Sequence, residues 1–237
     1  MERLLTEIVE KLRKAHGQKL VSIVLYGSGA TAEGRDPQSD YNVLCVLTRV
    51  TPDELREAEP IFRWWREMKN PAPLLIASSE LRQSVDCFPM EFHDIIERHV
   101  VLHGENPVEG MAVDDSFYRG QVEHELRGKL FRLRQKAGGV LGEKDMLMRL
   151  LADSVSTFCV LFRHALRLAG AEPKFGKREV IAATRDYFGI DASPFDTILD
   201  LRDEKLKPKS VPDSVELLRS YLNEIGKVVE GVDRMKR

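Results

Sequence analysis

The 237-residue chain is short of cysteine, of long apolar runs and of charge of one sign, and each shortage removes a class of protein. Its three cysteines, Cys45, Cys87 and Cys159, are odd in number, lie in apolar context and lack metal-ligand spacing. A disulfide scaffold or a zinc site is therefore not expected, and each reads as a small core residue in a reducing, cytoplasmic protein. No stretch approaches the ~18 apolar residues of a spanning helix, so the chain should be soluble and not a membrane protein. Repeats and low-complexity segments are not visible, and with 43% hydrophobic and 31% charged residues the composition is that of a folded globular protein. The N-terminus, MERLLTEIVEKLRK, carries acids where a secretory signal would be basic and then apolar, so it reads as the first helix of the fold.

Net charge is only -2, yet it is unevenly spread: residues 1–110 hold 13 Lys and Arg against 18 Asp and Glu, and residues 111–237 hold 23 against 20. The slight basic excess of the second part is too small to predict nucleic acid as a partner. The set Arg127, Lys129, Arg132, Arg134 and Lys136 reads as wrapped around its helix, a solvated surface.

The two parts also differ in periodicity. Leu4, Leu5, Ile8, Val9 and Leu12 form the stripe of an amphipathic helix that Gly17 ends. KLVSIVLYG and YNVLCVL are short, dense strands, and TPDELREAEPIFRWWREM is a helix capped by Thr51 with Pro52 in its first turn. NPAPLLIAS reads as a third strand, SELRQSV as a short helix, PMEFHDI as a strand-like piece and VVLHGENPVEG as a turn-rich connection. Beyond residue 110 the pattern is helical throughout, with DMLMRLLADSVSTFCVLFRHALRLAG central and a last helix starting after Ser210 with Pro212 in its first turn. The expected fold class is a mixed α+β domain over 1–110 followed by an all-α helical bundle over 111–237.

The stretch LYGSGATAEGRDPQSDYNVLCVL, residues 25–47, places a glycine-serine turn after one strand and Asp40 at the head of the next. Glycine lets a phosphate oxygen come close to backbone N–H groups, and the Ser28 hydroxyl can donate to it. Residues two apart in a strand share a face, so Asp40 and position 42 point the same way. Two carboxylates there would bridge Mg2+ ions about 4 Å apart and stabilise the attacking and leaving oxygens of phosphoryl transfer. Position 42 is Asn42, which brings an amide oxygen without charge.

YGSGATAEGRDPQSDYN resembles the signature of the DNA polymerase beta-like nucleotidyltransferase superfamily: an apolar residue, Gly-Ser, a spacer of about ten, then acid-x-acid on the next strand. The two-part layout is similar to that of its small prokaryotic members, of the kanamycin nucleotidyltransferase type or paired with HEPN-type helical proteins. The resemblance implies that Gly27, Ser28 and Gly29 hold a nucleoside triphosphate, with ATP expected, and that Asp40 ligates Mg2+, with Mn2+ as the alternative ion. It implies transfer of a nucleoside monophosphate to a hydroxyl acceptor, a small molecule or a protein, with release of pyrophosphate. A third acid should come from a later strand, and Glu91 is the expected one, ahead of Asp86 and Asp94. Asp40, Asn42 and Glu91 are thus the candidate catalytic and metal-binding set. Asn42 departs from the family's acid, and three readings stay open: one metal held chiefly by Asp40 and Glu91, compensation by Asp36 or the substrate's phosphates, or a regulatory, antitoxin-like module that binds nucleotide without turnover. Assembly as a homodimer also stays open.

Smaller signals compete with plain structural roles. Arg119 and His124 fit the loose Arg-His spacing of HEPN ribonucleases, and equally a solvated first turn. Glu123 is a candidate general base for the acceptor hydroxyl. His93 shares a face with Glu91 if that segment is a strand. Of Trp64 and Trp65 at most one can point inward, and Arg49 either steers phosphates or ends its strand with a charge.

Overall fold

The computed structural model describes residues 2–30 and 41–235, without the side chains of Glu2 and Ser28. The chain divides into two compact units, Met1–Phe117 and Tyr118–Arg237. The first contains α1 (Glu2–His16), β1 (Leu20–Tyr26), β2 (Asn42–Leu47), α2 (Pro52–Glu67), β3 (Leu74–Ala77), α3 (Ser78–Gln83), α4 (Pro89–Glu97) and β4 (His99–Gly104). The second holds α5 (Tyr118–Gly138), α6 (Lys144–Leu168), α7 (Lys177–Phe188), α8 (Ser193–Arg202) and α9 (Ser214–Asp233). A mixed sheet with helices followed by an all-helical region is the expected fold class.

The four strands run in the order β3-β2-β1-β4. β1 is antiparallel to β2 and β4, whereas β2 and β3 are parallel, which requires a crossover connection that α2 supplies. Alternation sends Ile23, Leu25, Val43, Cys45 and Leu47 to one face, where they pack with Ile8 and Leu12 of α1 and Ile61 and Trp65 of α2. Val24, Leu44 and Val46 go to the other face, against Leu81 of α3 and Phe92 and Ile95 of α4. Both faces are covered, so β1 and β2 read as near-continuous apolar runs. Trp65 is fully buried, and its truncation to Ala would cost about 3–5 kcal/mol. Trp64 is only partly buried and carries the Lys11 ammonium 4.8 Å from its ring centre.

Four local expectations are corrected. PMEFHDI is not a strand but α4: Pro89 occupies a first-turn position, Glu91 is the acid of that turn, and Phe92 and Ile95 repeat at helical spacing toward the sheet. VVLHG is a strand as well as a connection, closing the β1 side of the sheet, and it passes so close to β1 that a Cβ on Gly104 (φ +78°) would lie 2.1 Å from Val21 O. The last helix starts at Ser214 with Asp213 as its cap, accepting from the N–H groups of Val215 and Glu216, so Pro212 lies ahead of it. Cys45 and Cys159 are buried, and burial pushes both thiols up to about 12, but Cys87 is exposed because it sits in the turn before α4 and not in a core.

In the helical unit α6 packs on α5, α7, α8 and α9, the central position its apolar sequence implied. Phe158 and Phe162 of α6, Phe195 of α8 and Tyr221 of α9 meet in tilted and edge-to-face pairs with centroids 5.1–6.2 Å apart.

Where β2 leaves the sheet, Thr51 and Glu54 form a reciprocal capping box at the start of α2. The buried Glu54 carboxylate also faces Lys19 at 3.0 Å, while Glu57 takes Lys19 at 2.9 Å and His16 at 3.3 Å. The Thr51 hydroxyl first, and Lys19 second, hold Glu54 down at about 2 against an ordinary 4.5. A depressed carboxyl stabilises the fold above its unfolded pKa and loses that contribution as pH falls toward the folded one. Between about pH 4.5 and 2 the wild type should therefore lose melting temperature more steeply than Glu54→Gln, which starts lower at pH 7; parallel acid limbs in thermal melts would contradict the assignment.

Candidate active site

β1 ends at Tyr26 and the chain turns at once. Gly27 has φ +74°, in the left-handed region, and opens a single 3-10 turn over Gly27–Ala30. Its N–H donates to Arg98 O at 3.0 Å, which ties the turn to the junction between α4 and β4. A Cβ on Gly27 would sit 3.4 Å from Asn42 Nδ2, so the Asn42 amide lies beside the turn. The register explains this: Tyr26 is paired with Asn42 on one side and with His99 on the other. Gly29 is buried within the turn.

Asn42 shares parity with Leu44 and Val46, so it belongs to the sheet face covered by α4. Glu91 therefore approaches the Asn42 side of the sheet from a helix and not, as expected, from a strand. Tyr26, on the same face, reports the proximity: its phenol is pushed above its ordinary 10 by burial first, then by the charges of Glu91 and Asp94. Glu91 and Asp94 are one turn apart on α4, and Glu91 is exposed and makes no ion pair among the described residues. Asp94, placed behind Glu91 from the sequence, acts with it on the Tyr26 phenol, and Tyr26 itself was not among the expected residues. The signal for both is the parity of Tyr26 with position 42, together with the i, i+3 spacing of the two acids.

Other candidates fall elsewhere. Asp40 and Asp36 lie outside the described residues, as does the Ser28 side chain. Asp86 is exposed in the turn before α4. His93 is two residues from Glu91, about 200° around a helix, so the two do not share a face. Instead it is buried, with Nε2 2.6 Å from Asp115 Oδ1. Arg49 pairs with Glu54 at 3.5 Å beyond the far end of β2, the end opposite Gly27, so it cannot steer a phosphate to the turn. Glu123 is gripped by Arg119 and Arg127 at 2.8 Å each, and these hold its carboxyl below the ordinary range. His124 is exposed and lies about 140° around α5 from Arg119, so the pair does not converge.

Among the described residues the Asn42 amide lies beside the turn, and the Glu91 and Asp94 carboxylates act on the Tyr26 phenol that precedes it. Hard oxygens of this kind suit Mg2+ or Mn2+ and not a soft-ligand metal. Among the described residues no group of three or more His, Cys, Asp or Glu side chains gathers closely enough to hold an ion. No helix among them is long and apolar enough to cross a membrane.

A mixed four-stranded sheet with helices on both faces, followed by an all-helical region, is a fold shared with a solved structure. The chain matches the crystal structure of spectinomycin adenyltransferase AAD(9) from Enterococcus faecialis with ATP and spectinomycin, with a TM-score of 0.62 over 98% of this chain and 99% of that one. Sequence identity is 13%, so the likeness is one of fold. No family model and no curated protein matches the chain.

The electrostatic link between α4 and the turn can be read from Tyr26 itself. In an ultraviolet pH titration, with Tyr26→Phe to isolate its signal, the phenol should ionise above 10; Glu91→Gln combined with Asp94→Asn should lower that midpoint. An unmoved midpoint would separate α4 from the turn.

Proposed function

We propose that the chain is a nucleotidyltransferase that seats a nucleoside triphosphate, ATP in the first instance, on the Gly27–Gly29 turn and passes its nucleoside monophosphate to a hydroxyl acceptor. The observation that carries this reading is the left-handed Gly27 turn packed beside Asn42, in a fold shared along nearly its whole length with an adenyltransferase crystallised with ATP. The spectinomycin of that structure makes a small hydroxylated molecule the acceptor class to test first.

Asp40, Asn42 and Glu91 would hold a magnesium ion, whose charge neutralises the phosphates and the oxygens that gain charge in the transition state. Backbone N–H groups of the turn beyond Gly27, whose own N–H is bonded to Arg98 O, would orient the phosphates, and positioning would supply most of the remaining rate. The acceptor oxygen bonds to the α-phosphorus, the bond to the bridging oxygen breaks, and pyrophosphate leaves. Glu123 is a poor choice for the base that takes the acceptor proton, since its depressed pKa weakens it.

A second reading, nucleotide binding without turnover, is favoured by Asn42 alone. Calorimetric titration with ATP, with and without Mg2+, should show metal-dependent binding that Asp40→Ala removes and Asn42→Asp strengthens about tenfold, ~1.4 kcal/mol. Pyrophosphate release by the wild type identifies the enzyme, and release only by Asn42→Asp identifies the second reading. Absence of any metal-dependent ATP binding would defeat both.

A further inference from the structure

We infer that the groove between α5 and α6 is a binding site for a small phosphomonoester, a ligand with one phosphate on a short hydroxylated body. Lys129, Arg132 and Lys136 do not wrap around α5; at i, i+3 and i+7 they share one face and together line a cavity of about 180 Å3. Leu133, Leu150 and Phe158 supply its apolar surface, and Asp153 and Thr157 of α6 line it too.

The charge on this face is only partly compensated within the helix. From Leu126 to Gly138, α5 has five cations and no acid. Several cations elsewhere in the helical unit have partners, Arg119 and Arg127 sharing Glu123, Arg178 meeting Asp196 and Asp200, and Lys227 meeting Glu224, while Arg134, Arg149, Lys207 and Lys209 form no ion pair among the described residues. In the groove only Lys129 has one, Glu125 on its own helix at 3.4 Å. Arg132 and Lys136 form no ion pair among the described residues, not even with Asp153 in the same cavity. Arg132 and Lys136 are exposed, so water screens their mutual repulsion, and both keep their donors available to an anion placed between them.

The other lining groups narrow the ligand. A phosphate can accept from the Arg132 guanidinium and the two ammonium groups, with Thr157 as a further donor. Asp153 cannot donate when ionised, so it accepts a hydroxyl of the ligand body and disfavours a second phosphate by like-charge repulsion. The volume lies below the ~300 Å3 of pockets for drug-sized ligands, which fits a phosphate on a few carbons. A nucleic-acid strand would need a longer basic track with aromatic platforms. This inference does not depend on the proposed transfer reaction.

The full-length protein, kept in EDTA, would be titrated calorimetrically with glycerol 3-phosphate, inorganic phosphate, pyrophosphate and uncharged glycerol. Saturable binding is expected for glycerol 3-phosphate, weaker binding for inorganic phosphate and none for glycerol. Arg132→Gln and Lys136→Gln should each weaken it about tenfold, the range for a hydrogen bond to a charged group. Asp153→Asn should raise the relative affinity for pyrophosphate, and Asp40→Ala should change nothing, which separates this site from the nucleotide turn. Arg132 and Lys136 are exposed, so unchanged melting temperatures in those variants verify the fold, and the single charge reversal Arg132→Glu gives a second probe. No saturation, binding indifferent to Arg132 and Lys136, loss of binding in Asp40→Ala, or preference for a short RNA through the same residues would each overturn the inference.

Discussion

The antiparallel pairing of β1 with β2, held in one register from Ser22 opposite Val46 to Tyr26 opposite Asn42, is the constraint on which the candidate active site rests. A slip of one residue would exchange the faces of every side chain in β2. Here that exchange is blocked from both sides, because Val43, Cys45 and Leu47 fit the core beneath α1 and α2 while Leu44 and Val46 fit the one beneath α3 and α4. Register in turn fixes the parity of Asn42, and parity decides that the acids able to join it arrive from α4. The Gly27 N–H to Arg98 O bond closes the arrangement, since the residue that accepts it also terminates the helix bearing Glu91 and Asp94. Turn, strand head and acidic helix are thus set by one junction of backbone.

Most of this was legible in the sequence where the signal was long or doubled. Fifteen residues of α1 repeat their stripe often enough to exclude a strand, and the start of α2 is marked by cap, proline and acid at once. α4 was not legible in the same way. In PMEFHDI, Met90 and Phe92 alternate as a strand would while Phe92 and Ile95 recur as a helix would, and seven residues are too few for periodicity to arbitrate. Pro89 was the better witness, because it fits the first turn of a helix at no hydrogen-bonding cost. β4 was obscured by its C-terminal neighbours: the Gly, Asn and Pro of GENP advertise a turn, and the strand ahead of them is only HVVLHG.

Glu91 is carried by helix α4 and not by the expected strand, and the difference matters chemically. An acid on a strand is rigidly spaced from its neighbours two residues away. An acid in the first turn of a helix complements the positive end of the helix dipole and has a partner one turn on, here Asp94. It also lacks the neighbour a strand would give it, since His93 turns away to Asp115. The helical unit shows what separates such acids from structural ones. Glu123 looked like a base by position, but two arginines on its own helix saturate it, whereas no ion pair among the described residues claims Glu91.

Asn42 acts in two opposed ways on such a site. Replacing a carboxylate by an amide removes charge that would hold a divalent cation, and with it some electrostatic support for phosphoryl transfer. It also removes a negative charge from an end that already carries Glu91 and Asp94, where a triphosphate arriving without counter-ions would be repelled. Under the proposed function the first effect would weaken metal binding and the second would weaken the requirement for it, so the amide would not scale activity down uniformly. Which side prevails depends on how far the charges of α4 are screened by water. Glu91 is exposed and Asp94 half-buried, so repulsion from Glu91 is damped more than the direct coordination lost at Asn42, whose side chain lies against the turn itself. By that comparison the loss of metal affinity would outweigh the relief of repulsion, so the proposed transfer would depend strongly on metal concentration.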